Sequence, residues 1–305
     1  MKIYGLIGYP VKHSLSAAMH NAAFKELGIE AEYRLFEIPP EKLEGFLLEN
    51  IKVEDTQGKI FYSQDIAGFN ITIPHKIKTK EILTKKFPYA GIAEDLSHYV
   101  KISGAVNTVK RLHNGLDYCN TDVSGFWESL REDLKFDARN KNVLLVGCGG
   151  AGRAVIAALT WKMQTVNKIY IFDNNLKTIR SAKEHFGNAP VLLREKLEFI
   201  SCKEIPEKIQ QCQLLVNASP IGMKEGDASP VDKNLLHKDL YVYDVVYNRM
   251  TQLVRDAQEV CGKEKVCGGL GMLLYQGERA LEFWIGRHAP SEVMRKALEE
   301  ALNKK

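Results

Sequence analysis

The chain has 305 residues, of which 45% are hydrophobic and 26% are charged, and its formal net charge is +4. This length allows two domains with separate cores, and the composition excludes a disordered or fibrous protein. The lysines and arginines are spread along the chain without an aromatic-interleaved basic block, which argues against nucleic acid as a partner.

The six cysteines form no C-x-x-C pair, so we expect reduced thiols, no metal site and a cytoplasmic protein. The N-terminus enters a strand-like run directly, without a cationic and apolar leader, and no later apolar run reaches 18 residues. We therefore expect neither secretion nor a membrane partner.

Apolar runs of strand length alternate with helical patterns in the first part of the chain. In order they are KIYGLIG, SAAMHNAAFKELG, EYRLFEI, EKLEGFLLEN and IAGFNITI. This alternation predicts an α/β domain with a mostly parallel sheet. The polar stretch 49–65 has weak periodicity, and we interpret it as a surface excursion of little functional weight.

The first predicted helix begins near Ser14 to Ser16 and ends at Gly28. The hydroxyls of Ser14 and Ser16, together with unbonded backbone amides at the helix start, would make an anion site suited to a carboxylate. Capping of the helix alone is the alternative.

The run GFNITIPHK presents a second set of polar groups. A period of two sends Ile71 and Ile73 to one face and Asn70 and Thr72 to the other, beside Lys76. The alternative is the solvated face of an edge strand with an ordinary surface amine.

Two further polar side chains lie at the ends of predicted elements. Asn107 stands in SGAVNT, and Asp122 follows CNT just before the helical pattern VSGFWESL. Asp122 has the alternative role of a helix N-cap. Between them, Asn114-Gly115 is the pair that a type I′ hairpin turn favours, so the first domain is predicted to end with an antiparallel pair.

A second series of strands and helices begins at KNVLLVG (141–147) and runs to about residue 268. Its first strand leads into Gly147-x-Gly149-x-x-Gly152 and then into an apolar helix, which is the context of the dinucleotide fingerprint. The first glycine permits the turn, the second lets backbone amides approach a pyrophosphate, and the third lets helix and strand pack closely. A glycine turn without a ligand is the alternative.

Asp173 stands 21 residues after the last fingerprint glycine, at the end of the strand KIYIFD. A carboxylate at this place can accept both hydrogen bonds of an adenosine ribose and would repel a 2′-phosphate, so it favours NAD. Asn174 and Asn175 offer no guanidinium, and only the more distant Arg180 or Arg153 could pair with a phosphate. Alternatively, Asp173 merely caps a turn.

From Gly271 onward the sequence predicts two helices, MLLYQGERALEFWIG and SEVMRKALEEALNK, which can pack back on the first domain.

Seven segments in this order resemble the signature segments of the shikimate dehydrogenase family. They are HSLSAAMHN, NITIPHK, SGAVNT, NTD, GCGGAG, YDVVYN and GLGMLLYQG, and they span about residues 5–286. The resemblance implies a substrate-binding catalytic domain over 1–121, completed by C-terminal helices over 270–305. It further implies a Rossmann-type nicotinamide cofactor domain over 122–269, with the active site in the cleft between the domains.

The resemblance also implies roles for individual residues. It assigns the substrate carboxylate to Ser14 and Ser16, and the ring hydroxyls to Asn70, Thr72, Asn107 and Asp122, with Tyr247 and Gln276 from the other side. Lys76 becomes the acid/base of alcohol oxidation, and we assign this work to the coupled pair Lys76 and Asp122 without deciding which holds the proton.

On the cofactor side the resemblance points to residues in five segments. They are Gly147, Cys148, Gly149, Gly150, Ala151, Asp173, Asn174, Ala218, Ser219, Val245 and Gly269. Three departures from the family pattern stand out: Ala17 replaces a common proline, Cys148 replaces an alanine, and IFDNN replaces the Asn-Arg-Thr run of NADP-dependent members. The last departure again favours NAD over NADP.

We therefore expect an oxidoreductase that interconverts shikimate and 3-dehydroshikimate with NAD(P), in aromatic amino-acid biosynthesis, as a monomer or homodimer. One alternative is a quinate/shikimate dehydrogenase of broader specificity. Another is a non-catalytic sensor that keeps the fold and binds shikimate.

Overall fold

The structure is a computed structural model that describes residues 1–88, 94–160 and 166–304. It divides into two compact units: unit 1 comprises Met1–Gly125 and Leu274–Lys305, and unit 2 comprises Phe126–Leu273. The domain limits expected from the sequence are 121 and 269. The last residue of the expected segment 270–305 lies outside the described residues.

Strands and helices alternate along most of the chain. The strands are β1 (Lys2–Gly8), β2 (Ala31–Glu37), β3 (Lys52–Glu54), β4 (Ile60–Tyr62), β5 (Ile66–Ile71), β6 (Thr108–Leu112), β7 (Gly115–Cys119), β8 (Asn142–Val146), β9 (Lys168–Phe172), β10 (Leu197–Phe199), β11 (Leu214–Asn217), β12 (Tyr241–Asp244) and β13 (Val266–Gly268). The helices are α1 (Ser16–Glu26), α2 (Leu43–Leu48), α3 (Lys76–Lys86), α4 (Glu94–Ser103), α5 (Asp122–Glu132), α6 (Gly150–Thr160), α7 (Leu176–Gly187), α8 (Val191–Arg194), α9 (Ile205–Ile209), α10 (Gln252–Cys261), α11 (Leu270–Ile285) and α12 (Ser291–Asn303). None of the helices in the described ranges has the length and apolar character needed to cross a bilayer.

Unit 1 is built on a five-stranded sheet with the order β2-β1-β5-β6-β7. The first three strands are parallel, and β6 and β7 are added as an antiparallel pair. The apolar runs supply a core that includes Ile7, Phe36, Phe69 and Val109. The carboxyl ends of β1, β5 and β7 and the amino end of the reversed strand β6 all lie at one edge of the sheet. The loops that carry the predicted polar residues of unit 1 therefore gather at this edge.

The hairpin between β6 and β7 is present, but the expected type I′ turn at Asn114-Gly115 is wrong. Leu112 pairs with Gly115, so the connection is His113–Asn114, one residue earlier. A type I′ turn needs positive φ at both central residues, and among the described non-glycine residues only Lys135 and Asn140 have it. Gly115 instead opens β7, where it lies against the ring of Phe87.

The stretch 49–65 is an ordered hairpin of β3 and β4 rather than an irregular surface excursion. Asp55 bridges to Phe36 of β2 in the antiparallel sense, and Thr56 N donates to Leu35 O over 2.9 Å. Arg111 fixes the end of the hairpin by donating to Ser63 O. The hairpin thereby covers part of β2, an edge strand that would otherwise expose its peptide groups.

The C-terminal helices pack on the N-terminal part of the chain within unit 1, as the sequence predicts. α12 contacts α1. Trp284 of α11 donates its indole N–H to Val109 O over 2.9 Å, and its ring lies against Tyr4.

Unit 2 is a six-stranded, fully parallel sheet with the order β10-β9-β8-β11-β12-β13. Counted within the unit this is the order 3-2-1-4-5-6 of the Rossmann fold. The central strands β8 and β11 are almost wholly buried, which is why they read as continuous apolar runs. The order of the strands reverses between β8 and β11, and the glycine loop that follows β8 lies at this switch point.

Candidate active site

Lys76 and Asp122 form an ion pair at the edge of the unit 1 sheet. Each is the first residue of its helix, α3 and α5, and the Lys76 Nζ to Asp122 Oδ2 distance is 2.7 Å. Only 12% and 7% of the two side chains are exposed. A lysine amine has three N–H donors, and within the described residues its one polar partner is Asp122. The pair is thus largely shielded from water and keeps donors available for a further partner.

A buried network of side-chain amides lies at the same sheet edge. Asn70 Nδ2 donates to Thr108 Oγ1 over 3.0 Å and to Asn107 O over 3.4 Å. Asn107 Nδ2 donates to Gln276 Oε1 over 3.4 Å and to Thr121 Oγ1 over 3.0 Å. Three of the predicted residues, from distant parts of the sequence, therefore share one network.

Three members of this network were not singled out from the sequence. Thr108 and Thr121 lie within the quoted motifs SGAVNT and NTD, so the motifs held the signal. Tyr33 donates its hydroxyl to Asn70 Oδ1 over 2.8 Å. Its strand has no clean alternation, so nothing in the local pattern marks it.

Ser14 and Ser16 lie together at the start of α1. Ser14 Oγ accepts the N–H of Ser16 over 3.2 Å and donates to Ser16 Oγ over 3.1 Å. The N-cap residue is Leu15, whose side chain makes no capping bond. The two hydroxyls are therefore presented beside the N-terminal amides of a helix, an arrangement that suits an anion.

The expected alternation around Thr72 holds only up to Ile71. Ile71 is buried, but Ile73, expected on the same face, is 42% exposed. The reason is that β5 ends at Ile71, so the period of two stops before Ile73. Thr72 N still donates to Ile7 O over 2.8 Å, which keeps half-buried Thr72 beside the end of β1.

The glycine loop of unit 2 has the geometry that a pyrophosphate requires. Gly147 has φ +92°, and a Cβ there would lie 2.6 Å from Ser219 N. A Cβ on Gly152 would collide with Gly147 O, whereas one on Gly149 would meet nothing within 4 Å. The backbone at Gly149 is thus open to a ligand, next to the N-terminus of α6. These residues fit the phosphates of a dinucleotide.

Cys148 and Asp173 join the glycine loop to the end of β9. Cys148 N donates to Asp173 Oδ2 over 2.8 Å, and Asn175 N donates to Asp173 Oδ1 over 2.8 Å. The carboxylate therefore caps a turn and also holds the glycine loop, and its expected bonds to a ribose stay a prediction. Burial raises the pKa of the Cys148 thiol to about 12, so this thiol is neutral and serves packing.

The two arginines considered as partners of a 2′-phosphate differ in exposure. Arg153 is buried at 2% exposure and donates to Ser181 Oγ over 2.8 Å, which makes it a poor phosphate ligand. Arg180 is exposed, and so is Asn174. Asn174, next to Asp173 in the sequence, thus offers an exposed amide, and Arg180 offers an exposed guanidinium.

The other predicted cofactor residues follow the neighbouring strands of unit 2. Ala218 and Ser219 follow β11, Val245 follows β12, and Gly269 follows β13. A Cβ on Gly269 would collide with Val245 O, so these two residues are in close contact. Tyr247 is half-buried two residues after Val245 and belongs to unit 2.

The remaining reactive side chains are not arranged as a metal site. Within the described ranges, no group of three or more His, Cys, Asp or Glu side chains is placed to hold a metal ion. All six cysteines are free thiols.

The parallel sheet in the order 3-2-1-4-5-6 and its open glycine loop place the chain in the Rossmann class of dinucleotide-binding proteins. Residues 6–109 match the family model of the shikimate dehydrogenase substrate binding domain, and residues 269–299 match that of the shikimate 5′-dehydrogenase C-terminal domain.

Known proteins resemble the chain over nearly its whole length. A shikimate dehydrogenase (NADP(+)) of Methanopyrus kandleri is 36% identical over 304 residues, which cover 98% of this chain and 96% of the relative. The solved shikimate dehydrogenase of Aquifex aeolicus has 32% identity and a TM-score of 0.77, with coverage of 98% and 97%. A shikimate 5-dehydrogenase of Listeria monocytogenes, solved with shikimate and NAD, has 26% identity and a TM-score of 0.74, with coverage of 98% and 96%. The chain belongs to the shikimate dehydrogenase family, which confirms the resemblance seen in the sequence.

Proposed function

We propose that this chain interconverts shikimate and 3-dehydroshikimate by hydride transfer with a nicotinamide dinucleotide. The observation that carries the proposal is the shielded Lys76–Asp122 pair, with its 2.7 Å contact and its unbonded donors. It lies at the sheet edge that also holds the amide network of Asn70, Asn107 and Gln276. Membership of the family supports shikimate as the substrate.

The pair would perform the proton transfer. Oxidation of an alcohol requires that the hydroxyl proton leave as the hydride departs from the same carbon. When bound, the nicotinamide supplies the hydride acceptor. Lys76 would donate to the substrate oxygen, and the coupled pair of Lys76 and Asp122 would take up the proton. In the reverse direction the pair returns the proton to the carbonyl oxygen.

The remaining polar residues of unit 1 would orient the ring. Ser14 and Ser16, at the N-terminus of α1, would bind the carboxylate. The ring hydroxyls would bind to the side-chain amides of Asn70, Asn107 and Gln276, to Thr72 and to Asp122, and Tyr247 would be a further substrate contact. Residues 1–121 with 270–305 would then serve as the substrate domain, and residues 122–269 as the cofactor domain.

We further propose that NAD is preferred over NADP. The M. kandleri relative is named for NADP(+), so this chain is expected to differ from it. The support is the Asp173 carboxylate at the end of β9, beside the exposed amide of Asn174. A carboxylate accepts hydrogen bonds from ribose hydroxyls and repels a phosphate. The location in the cytoplasm and the monomeric or homodimeric state stay predictions.

The test is a two-by-two absorbance assay at 340 nm, with shikimate or quinate against NAD or NADP. We expect turnover with shikimate, a higher kcat/KM for NAD than for NADP, and weaker turnover with quinate. Equal or better turnover of quinate would favour the broader quinate/shikimate enzyme. If the protein binds shikimate but reduces neither nucleotide, it is a sensor and the proposed reaction is wrong.

The cofactor preference has its own variant. Asn174→Arg places a guanidinium beside the 2′ position and should raise kcat/KM for NADP by about tenfold, because a hydrogen bond to a charged group contributes ~1.5–3 kcal/mol. Asn188→Arg adds the same charge at the exposed far end of α7 and is the matched control. An equal response of both variants would show that general charge, and not the ribose site, governs the preference.

A further inference from the structure

A buried carboxylate in unit 2 has no part in the reaction described above. Asp244 is the last residue of β12 and has no exposed surface. Its carboxylate accepts hydrogen bonds from Asn217 Nδ2 over 2.9 Å, from Val246 N over 3.0 Å and from Thr251 Oγ1 over 2.6 Å. Burial raises its pKa, and these three bonds oppose that rise. A buried carboxylate costs free energy unless hydrogen bonds compensate it, so three donors that converge on this one indicate a specific role for Asp244.

The first partner connects Asp244 to the loop after β11. Asn217 is the last residue of that strand and is fully buried. Its Oδ1 accepts the N–H of Ser219 over 3.1 Å and the Ser219 hydroxyl over 2.7 Å. Its Nδ2 also donates to Ile221 O over 3.0 Å. The orientation of this amide is therefore set, and with it the course of the loop from Ala218 to Ile221.

The other two partners connect Asp244 to the segment after β12. The N–H of Val246 lies between Val245 and Tyr247, so the bond to it fixes the backbone that carries both. Thr251 is the N-cap residue of α10, where its Oγ1 accepts the N–H of Val254 over 3.2 Å. One carboxylate thus joins two strand ends, two loops and a helix start.

We propose that Asp244 is a positioning residue for the cofactor side of the site. Acting through Asn217 and through the N–H of Val246, it holds the two loops on which Ala218, Ser219, Val245 and Tyr247 lie. The proposal rests on the proposed function with a nicotinamide cofactor, for which the family resemblance assigns Ala218, Ser219 and Val245 to the cofactor and Tyr247 to the substrate.

The hydrogen-bond polarity explains why a carboxylate is needed at this position. All three groups that face it act as donors, and an ionised carboxylate accepts on both oxygens. An asparagine would keep the Oδ1 acceptor of Asn217 Nδ2 and Val246 N and change only the contact with the Thr251 hydroxyl. An alanine removes both acceptor oxygens and leaves the buried N–H groups of Asn217 and Val246 unsatisfied, so the two loops lose their shared anchor.

The test compares two buried carboxylates of unit 2. Asp244→Ala removes the bridging acceptor, whereas Asp256→Ala removes a carboxylate on α10 that is 8% exposed and bonds to Gln252 on its own helix. The dissociation constants of NAD and NADP are measured by titration calorimetry, with thermal unfolding as the readout for stability. We expect the dissociation constant of the preferred nucleotide to rise about tenfold or more in Asp244→Ala and to stay within about twofold in Asp256→Ala.

Thr251 supplies a second, milder pair of variants in case Asp244→Ala does not fold. Thr251→Val keeps the shape and loses the hydroxyl, and Thr251→Ser keeps the hydroxyl. Positioning through Asp244 predicts weaker nucleotide binding in the valine variant and recovery in the serine variant. The proposal is overturned if nucleotide binding is unchanged while only the unfolding temperature falls, or if Asp256→Ala weakens binding equally.

Binding measured without turnover separates this proposal from the proposed reaction. If the wild type binds a nucleotide but does not oxidise shikimate, the reaction is wrong, and the Asp244 comparison still decides the positioning role. If the wild type binds neither nucleotide, both proposals are overturned.

Discussion

Two ion pairs of unit 1 have similarly little exposed surface but different surroundings. In Lys76–Asp122 the side chains are 12% and 7% exposed, and in Arg34–Asp55 they are 12% and 2% exposed. Burial therefore does not distinguish them. The two pairs differ in how many of their hydrogen-bonding groups are already occupied by the fold.

The Arg34–Asp55 pair makes further hydrogen bonds to the β3–β4 hairpin and to β2. Asp55 also accepts the N–H groups of Gln57 and Lys59, each over 2.9 Å. The Arg34 guanidinium has a second carboxylate, Glu32, at 2.6 Å. The Lys76 amine, by contrast, bonds within the described residues to Asp122 alone. Both oxygens of Asp55 are thus occupied within the fold, whereas the Lys76 amine keeps two N–H donors for a ligand.

The largest expected effect is on turnover at Lys76. Lys76→Ala should lower kcat for shikimate oxidation by about 10²–10⁴-fold, because it removes the proton-transfer partner. The measurement is nicotinamide reduction at 340 nm, with shikimate binding followed separately by calorimetry. Turnover within tenfold of the wild type would contradict the catalytic role. Loss of all binding as well would point to a structural role instead.

The second effect is on stability at Asp55. Asp55→Ala should lower the free energy of unfolding by about 2 kcal/mol, because it removes one partner of a buried pair and the acceptor of two backbone N–H groups. Urea unfolding followed by circular dichroism measures this change. At a temperature where the variant is folded, kcat should stay within about twofold of the wild type. A large loss of kcat would remove the distinction between the two pairs.

The third effect is the pH dependence of stability that the Asp55 carboxylate causes. Burial raises the pKa of Asp55, but the bonds from Lys59, Arg34 and Gln57 outweigh it, and the pKa lies below its ordinary value. For a carboxyl with a lowered pKa, the stabilisation is present above the ordinary value, about 3.9, and is lost as the pH falls through the lowered pKa. When the pH is lowered from about 5 to about 2, the midpoint of unfolding should fall less steeply in Asp55→Asn than in the wild type. Identical slopes would show that Asp55 is not perturbed.

The smallest effect is expected for an exposed pair on the same helix as Lys76. Lys78 and Glu81 are 62% and 55% exposed, with a separation of 3.2 Å. Lys78→Ala should change the free energy of unfolding by less than about 0.5 kcal/mol, because solvent screens such pairs. Turnover should not change, which makes this variant the control for a lost lysine on α3. A tenfold loss of kcat would mean that Lys76 is not special among the lysines of this helix.

Local sequence determined the features that depend on a few neighbouring residues. The fingerprint glycines predicted a turn, an open backbone and a close contact, because the steric effect of a missing Cβ does not depend on distant partners. The apolar runs predicted the parallel strands β1, β2, β5, β8 and β9, since buried parallel strands need apolar side chains on both faces, but they did not predict the short strands β10 and β13. The ordered motifs also identified the family.

Only the tertiary structure decided which distant residues meet and where local patterns stop. Lys76 and Asp122 are 46 positions apart, and Asn107 and Gln276 are 169 apart, so their contacts depend on strand order rather than on spacing. The turn at His113–Asn114 follows from the pairing of Leu112 with Gly115, and the exposure of Ile73 follows from the end of β5. Asp244 lies in the motif YDVVYN, but the motif does not show its role, because that role consists of bonds from other segments. Hydrogen bonds between segments form only when packing brings those segments together, and no local pattern encodes them.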